Sequence, residues 1–383
     1  MNRFRKYAAV LLPTLLMGTA SNAYAQRYTA TIIGSGRNVF APPMTLNSSG
    51  EVIGTKKFSR GEQAFLYSNG QLTYLGTLGG ETSFATAINA NGQVTGYSNT
   101  STSKRIMHAF LYSNGVMTQL RGLGPSVGNA INASGQVVGD ATTAPKTTHA
   151  FISNGTKMVD LGTLGGDTSS AVAVNDSGQV TGRSQISGTG YNHAFLYSNG
   201  AMSDLGTLGG NTSSATALNE SGQVTGSADT PSPGYHAFIS NGTTMTDLGT
   251  LGGEYSVAYA INASAQATGE SQTNTGEYHA FLYSNGAMTD LGTGQGFYSV
   301  GLAINSSGQV TGAVNTGNSS GYAYHAFIYR DGVMTDLNNL ISPKQAASFQ
   351  LLDGVAINDD GQIVAEGALN STGATRLFLL TPR

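Results

Sequence analysis

The chain has 383 residues, of which only 10% are charged, and its formal net charge is −3. Low charge combined with many β-branched residues excludes a disordered chain and favours an all-β protein rich in turns. The scattered Lys and Arg residues form no basic surface for nucleic acid or for an anionic membrane. The absence of cysteine excludes disulfides and thiolate chemistry.

Residues 1–25 have the features of a cleavable secretory signal peptide. A basic start with three cationic residues precedes the apolar run 8–16, which is too short to span a bilayer. The small-residue sequence Ala-Tyr-Ala then predicts cleavage after Ala25; a short buried helix is the alternative interpretation. We therefore expect a mature chain of residues 26–383, exported to a periplasm or beyond the cell, with no membrane span.

The rest of the sequence is a repeat. Every histidine begins a copy of the segment His-Ala-Phe, and successive histidines are separated by 41 to 46 residues. This period predicts a propeller or a solenoid. The histidines are His108, His149, His193, His236, His279 and His325, and Gln63 and Arg376 take the corresponding positions near the two ends.

Each repeat is expected to form four short antiparallel strands. The segment HAFLY ends in a Ser-Asn-Gly hairpin turn, and the chain returns as AMTDLG. After LGTLGG, the segments ATAIN and GQVTG flank a second tight turn. In that turn, an asparagine starts an Asx turn and a glycine three residues later takes a left-handed conformation. The turn asparagines are Asn47, Asn89, Asn132, Asn175, Asn219, Asn262, Asn305 and Asn358.

Four strands in each of eight repeats predict an all-β fold, a β-propeller of eight blades, with seven blades as the alternative count. A β-solenoid is the competing architecture. The N-terminal segment 28–34 matches the AMTDLG strand, and the C-terminal segment 376–380 matches HAFLY. An N-terminal strand that completes the last blade would close the ring and remove both open edges. Residues 26–383 are therefore expected to form a single propeller domain.

A carboxylate follows most of the histidines at a constant spacing of eleven residues. Across the hairpin, this spacing makes His193 and Asp204 diagonal neighbours on one face of the sheet. We interpret these residues as structural pairs, in which a buried imidazole is hydrogen-bonded to a carboxylate, because a catalytic dyad would be needed only once. No metal is expected, since no histidines stand at ligand spacing, and no cofactor motif is present. The pairs are His149 with Asp160, His193 with Asp204, His236 with Asp247, His279 with Asp290, and His325 with Asp336.

Four tyrosines are the candidate ligand-binding residues. Tyr191, Tyr235, Tyr278 and Tyr324 end loops of variable length, just before the histidine position. Aromatic rings at the face of a propeller can stack on sugars. The alternative is that these rings simply pack at the edges of the blades.

The combination of His-Ala-Phe, DLGTLGG and AINxSGQVTG resembles the HAF-repeat family of bacterial extracellular proteins, and the resemblance covers residues 63–382. It implies an exported repeat protein without an established activity. We expect a monomeric, non-catalytic binding or structural module whose partner is an extracellular glycan or protein. The alternative is an enzyme that acts on an extracellular polysaccharide, with its site near the insertion 337–357.

Overall fold

The computed structural model describes residues 27–34, 39–40, 45–101, 106–145, 147–294, 296–317 and 324–383. The predicted signal peptide lies outside these residues. The expectation of an all-β fold is confirmed: the described residues form thirty-two strands and two short helices. No helix in this part of the chain has the length and apolar character required to cross a membrane.

The strands form antiparallel groups of four, here called units. In units 2 to 8, defined below, the first strand contacts the first strand of a neighbouring unit. Unit 1 contains β2 (Val39–Phe40), β3 (Val52–Phe58), β4 (Gly61–Ser68) and β5 (Gln71–Tyr74), and unit 2 contains β6 (Ser83–Ile88), β7 (Val94–Asn99), β8 (Met107–Ser113) and β9 (Val116–Gln119). Unit 3 contains β10 (Ser126–Ile131), β11 (Val137–Ala144), β12 (Thr147–Ser153) and β13 (Met158–Asp160), and unit 4 contains β14 (Gly165–Val174), β15 (Val180–Ile186), β16 (Asn192–Ser198) and β17 (Ala201–Asp204).

The second half of the chain continues this order. Single parallel bridges join unit 3 to unit 4 and unit 5 to unit 6, so these units pair into two eight-stranded sheets. Unit 5 contains β18 (Ser213–Leu218), β19 (Val224–Asp229), β20 (Tyr235–Ser240) and β21 (Met245–Asp247), and unit 6 contains β22 (Gly252–Ile261), β23 (Ala267–Thr273), β24 (Tyr278–Ser284) and β25 (Ala287–Gly292). Unit 7 contains β26 (Ser299–Ile304), β27 (Val310–Asn315), β28 (Tyr324–Arg330) and β29 (Val333–Asp336), and unit 8 contains β30 (Phe349–Ile357), β31 (Ile363–Leu369), β32 (Thr375–Pro382) and β1 (Tyr28–Ile33).

The hydrophobic core lies between neighbouring units. The phenylalanine of each His-Ala-Phe segment is fully buried and packs against the preceding unit. Phe195 of unit 4, for example, contacts Ala130, Val138 and Ala150 of unit 3. Burial of such a side chain contributes about 1.5–3 kcal/mol. The repeated phenylalanine therefore holds adjacent units together as well as stabilising its own unit.

A ring of hydrogen bonds joins the eight turn asparagines. Each side-chain amide donates to the backbone carbonyl of the next asparagine, and the bond from Asn358 returns to Asn47 at 3.1 Å. In all eight turns the side-chain oxygen also accepts the N–H of the residue four positions later, such as Gln93 at 2.9 Å from Asn89. The remaining bonds of the ring join Asn47 to Asn89 (3.0 Å), Asn89 to Asn132 (2.8 Å), Asn132 to Asn175 (3.0 Å), Asn175 to Asn219 (3.2 Å), Asn219 to Asn262 (3.1 Å), Asn262 to Asn305 (3.0 Å) and Asn305 to Asn358 (3.2 Å).

The two ends of the chain meet in unit 8. Strand β1 pairs antiparallel with β32, from Tyr28 opposite Pro382 to Ile33 opposite Leu377. This pairing covers the edge of β32, which would otherwise present unpaired backbone groups.

The insertion 337–357 supports this junction. It forms a 3-10 helix (Leu337–Asn339), the helix α1 (Pro343–Ala346) and strand β30. The amide N–H of Tyr28 donates to the carbonyl of Leu340 at 2.9 Å, and the Gln345 side chain donates to the carbonyl of Ala30 at 2.7 Å. Leu337 and Leu340 are buried in the same cluster as Tyr28. The suggestion of an enzyme site near this insertion is therefore not supported, because its apolar side chains pack beneath β1.

Candidate functional site

The two ends of the strands differ in their connections. The turns that begin with the ring asparagines and the Ser-Asn-Gly hairpin turns lie at the same end of the strands. The turn between β18 and β19 is an example of the first kind. The other end carries the LGTLGG connections, the variable loops and the starts of the third strands, where Asp229 pairs with Tyr235. We call this second end the loop face. Binding residues commonly lie on such a face because its loops can vary while the strands remain constant.

The structure brings together all five predicted pairs of histidine and aspartate. Each histidine Nδ1 lies 2.5–3.0 Å from its carboxylate. The register places Phe195 opposite Asp204, so that His193 is the diagonal neighbour of this carboxylate. In this pair the imidazole is the more buried partner, since 15% of the His193 side chain is exposed and 42% of the Asp204 side chain. In four of the pairs the aspartate also accepts the N–H of the glycine two residues later, as at Gly206. The pairs thus join the third strand to the start of the LGTLGG connection.

Unit 2 departs from this arrangement. His108 has Gln119 in place of the aspartate, and its Nδ1 is buried without a hydrogen-bond partner among the described residues. Burial lowers the pKa of His108 below its ordinary value of 6.5. Burial therefore favours the neutral form of this histidine.

The predicted ligand-binding tyrosines are not equivalent. Tyr235, Tyr278 and Tyr324 begin the third strands β20, β24 and β28. Tyr191 precedes β16, is 44% exposed, and makes no ring contact with the other three in the described part of the chain. The tyrosines at the start of β20, β24 and β28 come close to further aromatic residues, whereas Tyr191 has no such ring contact among the described residues.

These further residues surround Glu270, on β23. Tyr259 donates its hydroxyl to Glu270 Oε1 at 2.9 Å, and Tyr298 donates to Oε2 at 2.7 Å. The rings of Tyr235 and Tyr255 lie 4.9 Å apart between units 5 and 6. A backbone bridge places Tyr278 beside Tyr298, whose ring lies 6.1 Å from that of Tyr324. We call Tyr235, Tyr255, Tyr259, Tyr278 and Tyr298, together with Glu270, the tyrosine cluster.

The electrostatics of the tyrosine cluster keep its hydroxyls protonated. Burial, followed by the negative charge of Glu270, raises the pKa of Tyr259 above its ordinary value of 10. Burial and the hydrogen bond to Glu270 have the same effect on the pKa of Tyr298. Both hydroxyls therefore act as donors that orient the carboxylate.

Glu270 has no ion pair with Lys, Arg or His in the part of the chain that the structure describes. Unit 1 provides a contrast, because Lys56 lies 5.3 Å from the ring centre of Phe58 and 5.8 Å from that of Tyr74. Aromatic rings around a carboxylate attract a cation through both the ring quadrupole and the negative charge. The tyrosine cluster thus has the chemistry to bind an organic ammonium group. Within the described ranges, no group of three or more His, Cys, Asp or Glu residues is suited to a metal ion.

Sequence reasoning missed Glu270, although a signal for it exists. Glu270 follows the Thr-Gly of its second strand, a position that is occupied by a different kind of residue in nearly every repeat. The corresponding residues are Thr55, Tyr97, Asp140, Arg183, Ser227, Ala313 and Glu366. A variable position inside an otherwise constant segment could have marked the site.

No family model and no curated protein sequence matches this chain. It is similar in structure to the β-propeller domain of the trilobed protease from Pyrococcus furiosus, with 10% identity, a TM-score of 0.45, and 91% of this chain and 98% of that one covered. It is also similar to the acylaminoacyl peptidase of Pyrococcus horikoshii (10% identity, TM-score 0.45, 86% of this chain covered). A third similar structure is a puromycin-hydrolyzing peptidase of Mycobacterium tuberculosis (12%, 0.44, 87%). This chain spans 58% and 57% of the length of those two peptidases.

The comparisons contradict the function expected from the sequence. We expected a non-catalytic module for a glycan or an extracellular protein, with a polysaccharide-degrading enzyme as the alternative. The similar solved chains named above are instead two peptidases and a domain of a protease. The expectation is therefore wrong.

Proposed function

We propose that this chain is an exported HAF-repeat protein, built as a closed propeller of eight blades, and that it handles peptides by holding an ammonium group at the tyrosine cluster. The units defined above are the blades in this proposal. Two observations support the closed ring of eight: the asparagine hydrogen bonds return from Asn358 to Asn47, and β1 pairs with β32. Closure gives the loop face a fixed geometry across blades 5, 6 and 7, in which the cluster lies.

The observation that carries the proposed function is the environment of Glu270. Its carboxylate is oriented by two tyrosine hydroxyls from blades 6 and 7, and it lacks a cationic partner in the described residues. A partly buried carboxylate without a cationic partner attracts a cation more strongly than a carboxylate in water does. A ligand ammonium group supplies that charge, and the neighbouring rings provide cation–π contacts worth about 0.5–2 kcal/mol.

The source of the ammonium group in this proposal is the amino terminus of a peptide. Two of the similar structures are peptidases by name. That likeness concerns the fold alone, and the chemistry of the tyrosine cluster is what supports a peptide ligand. A free amine could present the same group, so the experiment must separate the two sources.

Isothermal titration calorimetry of the full mature chain tests the proposal. The probes are a short peptide amide with a free amino terminus, its N-acetylated form, and butylamine. We expect the free peptide to bind and the acetylated peptide to bind at least tenfold more weakly, because acetylation removes the charge. Butylamine that binds as tightly as the peptide would identify a general amine site instead of a peptide site.

The variant Glu270→Gln keeps the shape of the side chain and removes its charge. We expect it to lose at least tenfold in affinity for the free peptide. The matched control is Glu220→Gln, since among the described residues Glu220 accepts only the backbone N–H of Asp176, at 3.0 Å, and lies at the opposite end of the strands. Unchanged affinity in the Glu270 variant, with its melting temperature preserved, would contradict the proposed function.

A further inference from the structure

A polar cleft lies beside the tyrosine cluster, between blades 4 and 5. Its volume is about 250 Å³, and Tyr235 belongs to both its wall and the cluster. Asp229 also lies in its wall, where its carboxylate accepts hydrogen bonds from the backbone N–H and the hydroxyl of Thr212 at 3.0 and 2.9 Å. The other lining residues used below are Arg183, Asn192, Ser214 and Ser227. We call these four residues and Tyr235 the arginine cleft.

The arginine cleft presents hydrogen-bond donors that the protein itself leaves unused. Arg183 is exposed and forms no hydrogen bond or close ion pair within the described residues, although its charge reaches Asp140 and opposes the rise in the pKa of that residue that burial causes. The hydroxyls of Ser214 and Ser227 and the amide of Asn192 also have no partner in this part of the molecule. A guanidinium with hydroxyl and amide donors around it suits a carboxylate, which accepts two parallel hydrogen bonds from arginine.

The strand register relates this cleft to the tyrosine cluster. Arg183, Ser227 and Glu270 occupy the same position in three successive blades, opposite Ser170, Ser214 and Val257. The positive charge of Arg183 and the negative charge of Glu270 therefore lie two blades apart on one face. Tyr235 lies between them, because it lines the cleft and its ring contacts Tyr255.

We propose that the ligand is a short peptide with both termini free, whose amino terminus lies at Glu270 and whose carboxylate lies in the arginine cleft. This inference rests on the proposed function and adds the second charged end of the ligand. Two fixed charges of opposite sign select a dipolar ligand and set its orientation. They also select its length, since each residue of an extended peptide adds about 3.3–3.6 Å. Chains shorter than the span cannot place both termini at once, and longer chains must bend to do so.

The test compares oligoglycines of two to six residues, as free acids and as C-terminal amides, by calorimetry on the full mature chain. For one chain length, we expect the free acid to bind at least tenfold more tightly than its amide. Arg183→Gln should abolish that preference and leave the affinity for the amide unchanged. Arg183→Lys should restore part of it, because the charge returns without the bidentate geometry. Arg121→Gln, at an arginine outside the cleft, is the matched control.

The outcomes separate the two proposals. Equal affinities of acid and amide at every length, with binding still dependent on Glu270, would overturn this inference and leave the proposed function intact. Equal loss of acid and amide binding in Arg183→Gln would show a structural role for Arg183 and would also overturn it. Binding that needs the carboxylate but not the amino group would overturn the proposed function.

Discussion

The pairs of histidine and aspartate and the tyrosine cluster both place a carboxylate beside polar or aromatic side chains on the same sheets. The pairs occur in five units with almost the same geometry, such as 2.9 Å between His193 and Asp204 and between His236 and Asp247. The tyrosine cluster occurs once, where Glu270 receives hydroxyls from two neighbouring units. A contact that is repeated in five units, each time across the same hairpin, is expected to stabilise that hairpin. A contact that occurs once, at a variable position, is the better candidate for recognition.

The largest effect is expected from the repeated core, away from the tyrosine cluster. Phe110→Ala removes a fully buried ring from a cluster with Ile88 and Val94, so we expect a loss of about 3–5 kcal/mol in the free energy of unfolding. Chemical denaturation measures this loss, and Val116→Ala, at an exposed position of the same unit, is the control. Peptide affinity at Glu270 should not change while the variant is folded. A loss of peptide affinity in the folded variant would show that this core cluster and the tyrosine cluster are not independent.

A second experiment compares one carboxylate from each region. Asp204→Ala removes the hydrogen bonds to His193 and Gly206, which should cost about 1 kcal/mol of stability because the pair is partly exposed. Peptide affinity should stay at the wild-type value. The Glu270→Gln variant should show the reverse: reduced affinity with stability nearly unchanged. If both substitutions lowered affinity equally, the pairs would belong to the binding site.

The missing pair of unit 2 allows a gain to be tested. Gln119 lies opposite Phe110 in the same register as Asp204 opposite Phe195, so Gln119→Asp should give His108 the carboxylate that it lacks. We expect a gain of about 0.5 kcal/mol in the free energy of unfolding. Gln119→Ala, which offers no acceptor, should show no gain. Equal stability of the two variants would mean that the pair does not stabilise the hairpin.

The smallest effect is a dependence on pH. Burial lowers the pKa of His108 in the folded chain below 6.5, whereas the unfolded chain binds this proton near pH 6.5. The contribution of His108 to stability is therefore present above pH 6.5 and falls as the pH decreases towards the folded pKa. The unfolding free energy of the wild type, measured relative to that of His108→Gln, should decrease as the pH is lowered from 7.5 to 5. A difference that is constant over this range would contradict a lowered pKa.

Much of the local structure could be predicted from the repeat. Turn glycines such as Gly92, with φ of +72°, adopt the left-handed conformation, and Ala265 adopts it at +58° where the glycine is absent. The spacing of eleven residues placed His193 near Asp204, because a two-residue hairpin turn determines which residues lie opposite each other. The partial exposure of the aspartates was not predictable, since it depends on how the units pack.

Longer-range features escaped sequence reasoning. The asparagines were interpreted as turn residues only, whereas their amides also bind the neighbouring unit. The insertion 337–357 stood out by length and was considered a candidate site, but its residues Leu337 and Leu340 pack against Tyr28 from the other end of the chain. Tyr191 shares the loop position of Tyr235 without sharing its aromatic neighbours.

The sequence by itself determined the class of fold and the position of each hairpin, because these depend on residues that are close together in the chain and recur in every repeat. The repeated apolar pattern also marked each phenylalanine as a core residue, but its partners lie in the preceding unit. Only the tertiary structure decided that Glu270 meets Tyr298, 28 residues later, and that Tyr235 joins Arg183 to the same face. Such contacts arise from the way one unit packs on the next. No periodic pattern within a single repeat encodes which side chains meet across that packing.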